Sequence, residues 1–278
     1  MRYLVVSDIH GNLPALEAVL STPEAAACQA ILSLGDQVNY GPQSREVLLR
    51  LKSLGARMLL GNHEERLSRL GDPRLAGYNW ALLHWTARQV SGPDAAAILR
   101  ALPRDIRLGR LLCVHAAPGD LYRLLHPRDI PAVLDALPDG MDTLLSGHHH
   151  IAWHIHHGGR AAVNPGSLGV TEDGVGGAAP FAVLDGEAVA FHQARYNPDD
   201  VARAYLRSGC ATAAPEMCRI VLQNLRTGRY DSVSSLVRHV AATGDPGDPA
   251  VWRAADLTYP WDEPLSTPEF WRKQEDTL

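Results

Sequence analysis

Five short apolar segments of this chain each run into aspartate, asparagine or histidine, and that repeated ending constrains the fold more than any other feature. Residues 2–7 lead into Asp8-Ile9-His10, residues 30–34 into Gly35-Asp36, and residues 56–60 into Gly61-Asn62-His63-Glu64. Residues 111–114 end at His115, and residues 143–145 end in Gly147-His148-His149-His150. Such runs, apolar and largely without alternation, read as strands buried on both faces, as in a parallel sheet. Between the first three strands lie helical stretches at 13–20 and 44–54; Asn12 is placed to cap the first, and Pro14 stands near its first position. Strand–helix alternation of this kind specifies α/β architecture, whose ligand sites lie at the carboxyl edge of the strands. Residues two apart in an extended segment point the same way, which pairs Asp8 with His10 and His148 with His150. All five endings carry residues that bind hard or borderline metal ions, and none carries a glycine-rich nucleotide loop.

The segment at 71–103 departs from the alternation. It reads as a two-helix insertion, with Tyr78, Trp80, His84 and Trp85 as core aromatics more than a substrate platform, and a cap of this kind restricts access to small substrates. Beyond His150 the pattern changes to hairpins, 152–157 with 160–163 and 181–184 with 188–192, turned by Gly158-Gly159 and Asp185-Gly186. His154 and His156 read as a surface or packing set. From Asn197 the chain is helical, with runs at 215–225 and 232–242. Residues 244–278 combine Trp252, Trp261 and Trp271 with five prolines, which argues for an extended arm packed on its own subunit and contributing to a dimer.

The expected fold is therefore an α/β (α+β) four-layer αββα sandwich: two mixed β-sheets flanked by helices, with a helical cap insertion and a helical C-terminal extension. The expected domains are a catalytic unit at 1–196, with the cap at 71–103, and the extension and aromatic arm at 197–278. A net charge of −5 gives no general attraction to nucleic acid or anionic membrane. No apolar run reaches the length of a membrane span, and the N-terminus shows no signal-peptide pattern. Cys28, Cys113, Cys210 and Cys218 form no C-x-x-C pair and read as reduced thiols, although Cys210 and Cys218 could bridge. A cytoplasmic protein is expected.

With its motifs in this order, the chain resembles the calcineurin-like metallophosphoesterases, and more narrowly their small prokaryotic phosphodiesterases. The match includes Val163-Asn164-Pro165-Gly166-Ser167 and covers about the first 210 residues. The resemblance implies a dinuclear centre in which Asp36 bridges, Asp8, His10 and His150 complete one site, and Asn62, His115 and His148 complete the other. Two divalent ions are implied, with Mn ahead of Fe, Zn, Co or Ni, because carboxylate and imidazole together suit these better than Ca. Such a pair acidifies a shared water and clamps an in-line displacement at phosphorus. His63 would face the substrate as a non-ligand, protonating the leaving oxygen or steadying transition-state charge. Glu64 reads as support behind the ligands. Substrate contacts are otherwise open, with Asn12 and Tyr40 as candidates.

A phosphodiesterase for small or nucleotide-like esters, working through a metal-bridging hydroxide, is the expected activity. The alternative is a phosphomonoesterase of the protein-phosphatase type or a dinucleoside polyphosphate hydrolase. Those enzymes carry phosphate-gripping arginines where this chain has Tyr40 and Gly61, which weighs against them. A non-catalytic scaffold of the same fold would be expected to have lost ligands, and a nuclease to carry a basic module. The expected partner is a small phosphate ester, with no membrane and no nucleic acid; a homo-oligomer is left open.

Overall fold

The computed structural model describes residues 1–229 and 232–278. In chain order its strands are β1 (Arg2–Val6), β2 (Ala30–Ser33), β3 (Arg57–Met58), β4 (Asp105–Leu108), β5 (Leu111–Val114), β6 (Thr143–Ser146), β7 (Trp153–His157), β8 (Arg160–Asn164), β9 (Ala178–Asp185) and β10 (Ala188–Arg195). They form two five-stranded mixed sheets, ordered β10-β9-β1-β2-β3 and β4-β5-β6-β8-β7. In the first, β1, β2 and β3 run parallel and β9 lies antiparallel to β1; in the second, β5, β6 and β8 run parallel. The carboxyl ends of β1, β2, β3, β5 and β6 therefore meet along one rim.

The sheets face each other across a dry layer in which Val5, Leu32 and Ala182 of one meet Cys113, Leu145 and Val163 of the other. The outer face of the first sheet is covered by the helices Leu13–Leu20, Ser44–Ser53 and Pro93–Ala101 through Leu16, Val19, Leu48, Leu51 and Ile98. Ile130 and Leu134 of the helix Ile130–Asp135 cover the second. That is the four-layer αββα sandwich.

Several elements differ from expectation. β3 spans two paired residues rather than five, because the chain leaves the sheet early to start the helix Asn62–Ser68. β4 pairs antiparallel with β5 although its sequence, Asp-Ile-Arg-Leu, carries only a weak apolar signal for an edge strand. Only half of the 71–103 insertion stands at the rim: the helix Pro93–Ala101 packs on the outer layer, whereas Tyr78–Trp80 and the helix Ala81–Gln89 face the extension.

The extension folds around its own core, in which Tyr205, Cys218, Leu222, Leu236, Trp252 and Trp271 pack with Leu82 and Trp85. Cys210 and Cys218 are unbonded, their Sγ atoms 3.5 Å apart. The arm is not extended. It forms two helices, Pro249–Asp256 and Thr267–Thr277. The prolines permit this because Pro249 and Pro268 sit in first turns, where no intrahelical N–H is lost, and Asp248 and Ser266 cap the two ends. Arg219, itself buried, ties the arm down: it donates to the Glu263 and Leu265 carbonyls and stacks 4.0 Å from the Trp261 ring centroid. The loop before the first arm helix then grips the insertion, since the Tyr78 and Asn79 amides donate to the Gly247 and Pro246 carbonyls. No helix of the described residues is long and apolar enough to cross a membrane.

Candidate metal centre

Among the described residues, every non-glycine with positive φ lies at the rim: Asp8, His10, Asp36, Asn39, Tyr40, His148 and His150, with φ between 49° and 73°. A left-handed backbone costs a side-chain-bearing residue on the order of 1–3 kcal/mol, and Asp, Asn and His tolerate it best. Five of the seven proposed ligands are held this way. The strands end, the chain turns sharply, and the side chains are aimed inward instead of alternating along the strand.

The polar atoms converge in two linked groups. Asp8 Oδ1 lies 3.4 Å from His150 Nε2 and 4.0 Å from His10 Nε2, and the two histidine nitrogens are 3.3 Å apart. Asp36 Oδ2 lies 3.4 Å from His115 Nε2 and 4.0 Å from His10 Nε2, so it stands between the groups. Asn62 Oδ1 faces Asp36 Oδ2, His115 Nε2 and His148 Nδ1 at 3.1, 2.8 and 3.0 Å. Atoms bound ~2.1 Å from one ion are ~3.0 Å apart at octahedral angles and ~3.4 Å at tetrahedral ones, close to these spacings.

One observation shows that this donor set fits a cation. Asp8 Oδ1 is buried without a hydrogen-bond partner, while its Oδ2 accepts from Ser7 Oγ and the His148 amide. The Asn62 amide sets its oxygen against acceptor atoms and its nitrogen 2.7 Å from the donor Arg66 Nη1; turned over, it donates to Asp36, His115 and His148 and accepts from Arg66. The imidazoles are also oriented: His10 and His115 donate Nδ1–H to the Val38 and Leu34 carbonyls, which leaves Nε2 inward, and His148 donates Nε2–H to the Tyr122 carbonyl, which leaves Nδ1 inward.

Burial, the largest influence on Asp8 and Asp36, raises their pKa, but the surrounding histidines outweigh it and hold both carboxyls below the usual range. Burial pulls His115 and His150 down, yet Asp36 and Asp8 win, raising them to about 9 and 10. Burial leaves His10 lowered to about 4. The centre thus retains its carboxylate charge and balances it with whatever positive charge is at hand. Glu64, pushed up to about 8 by burial and then by Asp36, accepts from the Asp36, Val38 and Gly61 amides. It is the clamp that locks the second and third strand ends together.

His63 approaches from the start of its helix. Its amide donates to Asp36 Oδ1, and its Nε2, 3.8 Å from Asp36 Oδ2, lies with His10 and Asp36 in a third group of atoms close enough to hold an ion. Asn39 Nδ2 lies 2.7 Å from Nδ1, and with the amide in this orientation Nδ1 accepts and the ring proton is on Nε2, toward the cavity. Burial holds this imidazole well below its ordinary pKa. The Tyr40 ring packs at a tilt against His10 and His63, with centroids 4.8 and 4.9 Å away, and lines the cavity. Asn12 does not reach it: the side chain caps its helix and donates to the Gly169 carbonyl and Tyr196 Oη. These bonds give it a packing and capping role.

The cavity over the centre, about 300 Å³, is also lined by Arg66, Glu172 and Ser234, none of which sequence reasoning singled out. Arg66 follows Asn62 by four and His63 by three, so a helix starting at Asn62 would have placed it on their face. Its guanidinium lies 5.1 and 5.4 Å from the Tyr122 and Trp80 ring centroids, with Nη1 2.7 Å from the Asn62 amide. Glu172 stands 3.7 Å from His150 Nδ1 and lacked any motif context.

A family model described as calcineurin-like phosphoesterase matches residues 1–186. The chain is 25% identical over 200 residues to phosphodiesterase YfcE of Escherichia coli strain K12, covering 68% of this chain and 90% of that protein. It is 33% identical over 168 residues to the symmetrical bis(5′-nucleosyl)-tetraphosphatase of Paracidovorax citrulli, covering 52% and 56%. A metallophosphoesterase from Sphaerobacter thermophilus superposes with TM-score 0.69 at 28% identity, covering 82% of this chain and all of that one.

Gly61 shows how tightly the rim is built. A Cβ there would lie 2.1 Å from Asp36 Oδ1 and 2.3 Å from the Asp36 amide, so no side chain fits without moving Asp36. Gly61→Ala is expected to fold yet bind metal more weakly, by ~10-fold or more. Metal titration of both proteins checks this; equal affinity would show that Asp36 is not held where described.

Proposed function

The chain belongs to the calcineurin-like phosphoesterase family, and from that premise we propose that it is a dinuclear metal-dependent phosphodiesterase for small or nucleotide-like esters. The observation that carries the reading is Asp36 Oδ2, a buried carboxylate oxygen standing between two groups of inward-facing ligand atoms. Asp8, His10 and His150 with Asp36 would hold one cation; Asn62, His115 and His148 with Asp36 would hold the other. Manganese, iron, zinc, cobalt or nickel suits this mixed oxygen and nitrogen set. Bound there, the pair supplies charge neutralisation at phosphorus and an acidified water.

The protein's own groups do the rest. Asp36 keeps its position because the His63 amide and Glu64 hold it from either side. His63 presents Nε2–H to the cavity, with Asn39 fixing the ring through Nδ1. That tautomer can hydrogen-bond a phosphoryl or leaving oxygen as charge grows on it, which favours charge stabilisation over delivery of a full proton. Arg66 brings the cavity a guanidinium from the helix behind Asn62, in place of the arginines absent at positions 40 and 61. Cleavage of nucleoside polyphosphates is therefore a second reading, supported by Arg66 and by the similarity to a tetraphosphatase.

An ester panel with the manganese-loaded protein tests the proposal. Turnover of bis(p-nitrophenyl) phosphate is expected to exceed that of p-nitrophenyl phosphate and of diadenosine tetraphosphate by about tenfold, or ~1.4 kcal/mol in barrier. Preference for the monoester or the tetraphosphate would transfer the assignment to those classes, and no turnover at all would favour the scaffold.

His63→Ala is expected to keep its metal and lose ~10²–10³ in kcat. The loss should be similar for p-nitrophenyl and alkyl leaving groups. A loss confined to alkyl esters would mean that His63 delivers a proton instead.

A further inference from the structure

A second cavity, about 320 Å³, opens beside the one over the metal ligands and shares Tyr40, His63, Arg66 and Ser234 with it. One molecule can therefore occupy both. The walls of the second cavity differ from those of the first: Trp80, Leu82 and Leu83 come from the insertion, Met217 and Val237 from the extension, and Asn39 and Asn79 add amide groups. These walls lie partly beyond the matched family region, which ends at residue 186. They are also fixed to each other. The Tyr78 hydroxyl donates to Glu216, the Tyr78 ring meets Trp252 at 5.5 Å, and the Pro246 carbonyl receives both the Asn79 amide and Trp252 Nε1.

We infer that the insertion and the C-terminal extension together build a specificity pocket that takes the aromatic heterocycle of a nucleoside phosphate while its phosphate lies over the metal ligands. The inference rests on the phosphoesterase reading of the neighbouring cavity. Its chemistry is that of a flat apolar group with polar edges: aliphatic and aromatic walls offer area for the ring faces, and the Asn79 amide can match a donor and an acceptor at the ring edge. Arg66 stands where the cavities join and faces the anionic end of such a ligand. A volume near 320 Å³ lies at the lower end of small-molecule sites, large enough for a base and sugar. Trp80, expected from the sequence to be core, is half-buried and lines this wall.

Calorimetric titration of the full-length, manganese-loaded protein with adenosine 5′-monophosphate and with methyl phosphate tests the pocket without requiring turnover. Both ligands carry the same phosphate. The nucleotide is expected to bind roughly tenfold to a hundredfold more tightly, as stacking and enclosure of one base allow. Trp80→Ala and Val237→Glu should each bring the nucleotide affinity down toward that of methyl phosphate. Equal affinities in the wild-type protein would overturn the inference, as would a preference that both variants retain. Either result would leave the ester panel to judge the phosphoesterase reading on its own. A nucleotide preference with no ester turnover would keep the pocket and sink that reading.

Discussion

The rest of the structure depends on seven residues held in the left-handed backbone region at the ends of β1, β2 and β6. Such a cluster is unfavourable by several kcal/mol in sum and persists only where the surroundings over-determine it. Here they do. The Asp8 and His10 amides are tied to the Gly35 and Asp36 carbonyls, and the His148 amide to Asp8. Gly61 and Gly147 let neighbouring strand ends approach within distances that no side chain would allow. Strain and close packing together fix the ligand atoms before any ion arrives, which lowers the ordering cost of binding one.

Electrostatics then gives the rim its purpose. Two buried carboxylates and one buried amide oxygen share a space with five inward-facing imidazoles, and Asp8 Oδ1 faces His150 Nε2 at 3.4 Å without a well-formed hydrogen bond. Buried charge of this kind is unfavourable unless it is paired. Glu64 and the backbone carbonyls behind His10 and His115 hold the ligands without competing for their inward atoms. The insertion and the extension close the neighbouring cavity, and Ser234 of the extension also reaches the wall over the ligand groups.

The sheet core and the gathering of polar side chains at one rim were legible because each rests on local sequence: an apolar run, then a polar residue at its end. All seven proposed ligands and His63 come together. What escaped reading depends on context. The length of β3 was hidden because Leu59 and Leu60 look like strand continuation, while Asn62 had already begun a helix; missing that helix also concealed Arg66. Asn12 looked available because its cap role was clear but its contacts with Gly169 and Tyr196, more than 150 residues away, were not. Pro249 and Pro268 signalled helix breaks yet mark helix starts, since position within the first turn, not presence, decides their effect.

The central claim is that Asp36 joins two cation sites. Elemental analysis of the protein after loading with excess manganese and desalting tests it most directly. Two ions per chain are expected in the wild type, with both sites weakened together in Asp36→Asn because one oxygen serves both. A wild-type content that stays at zero or one, or an Asp36→Asn protein that still holds two ions as tightly, would contradict the account.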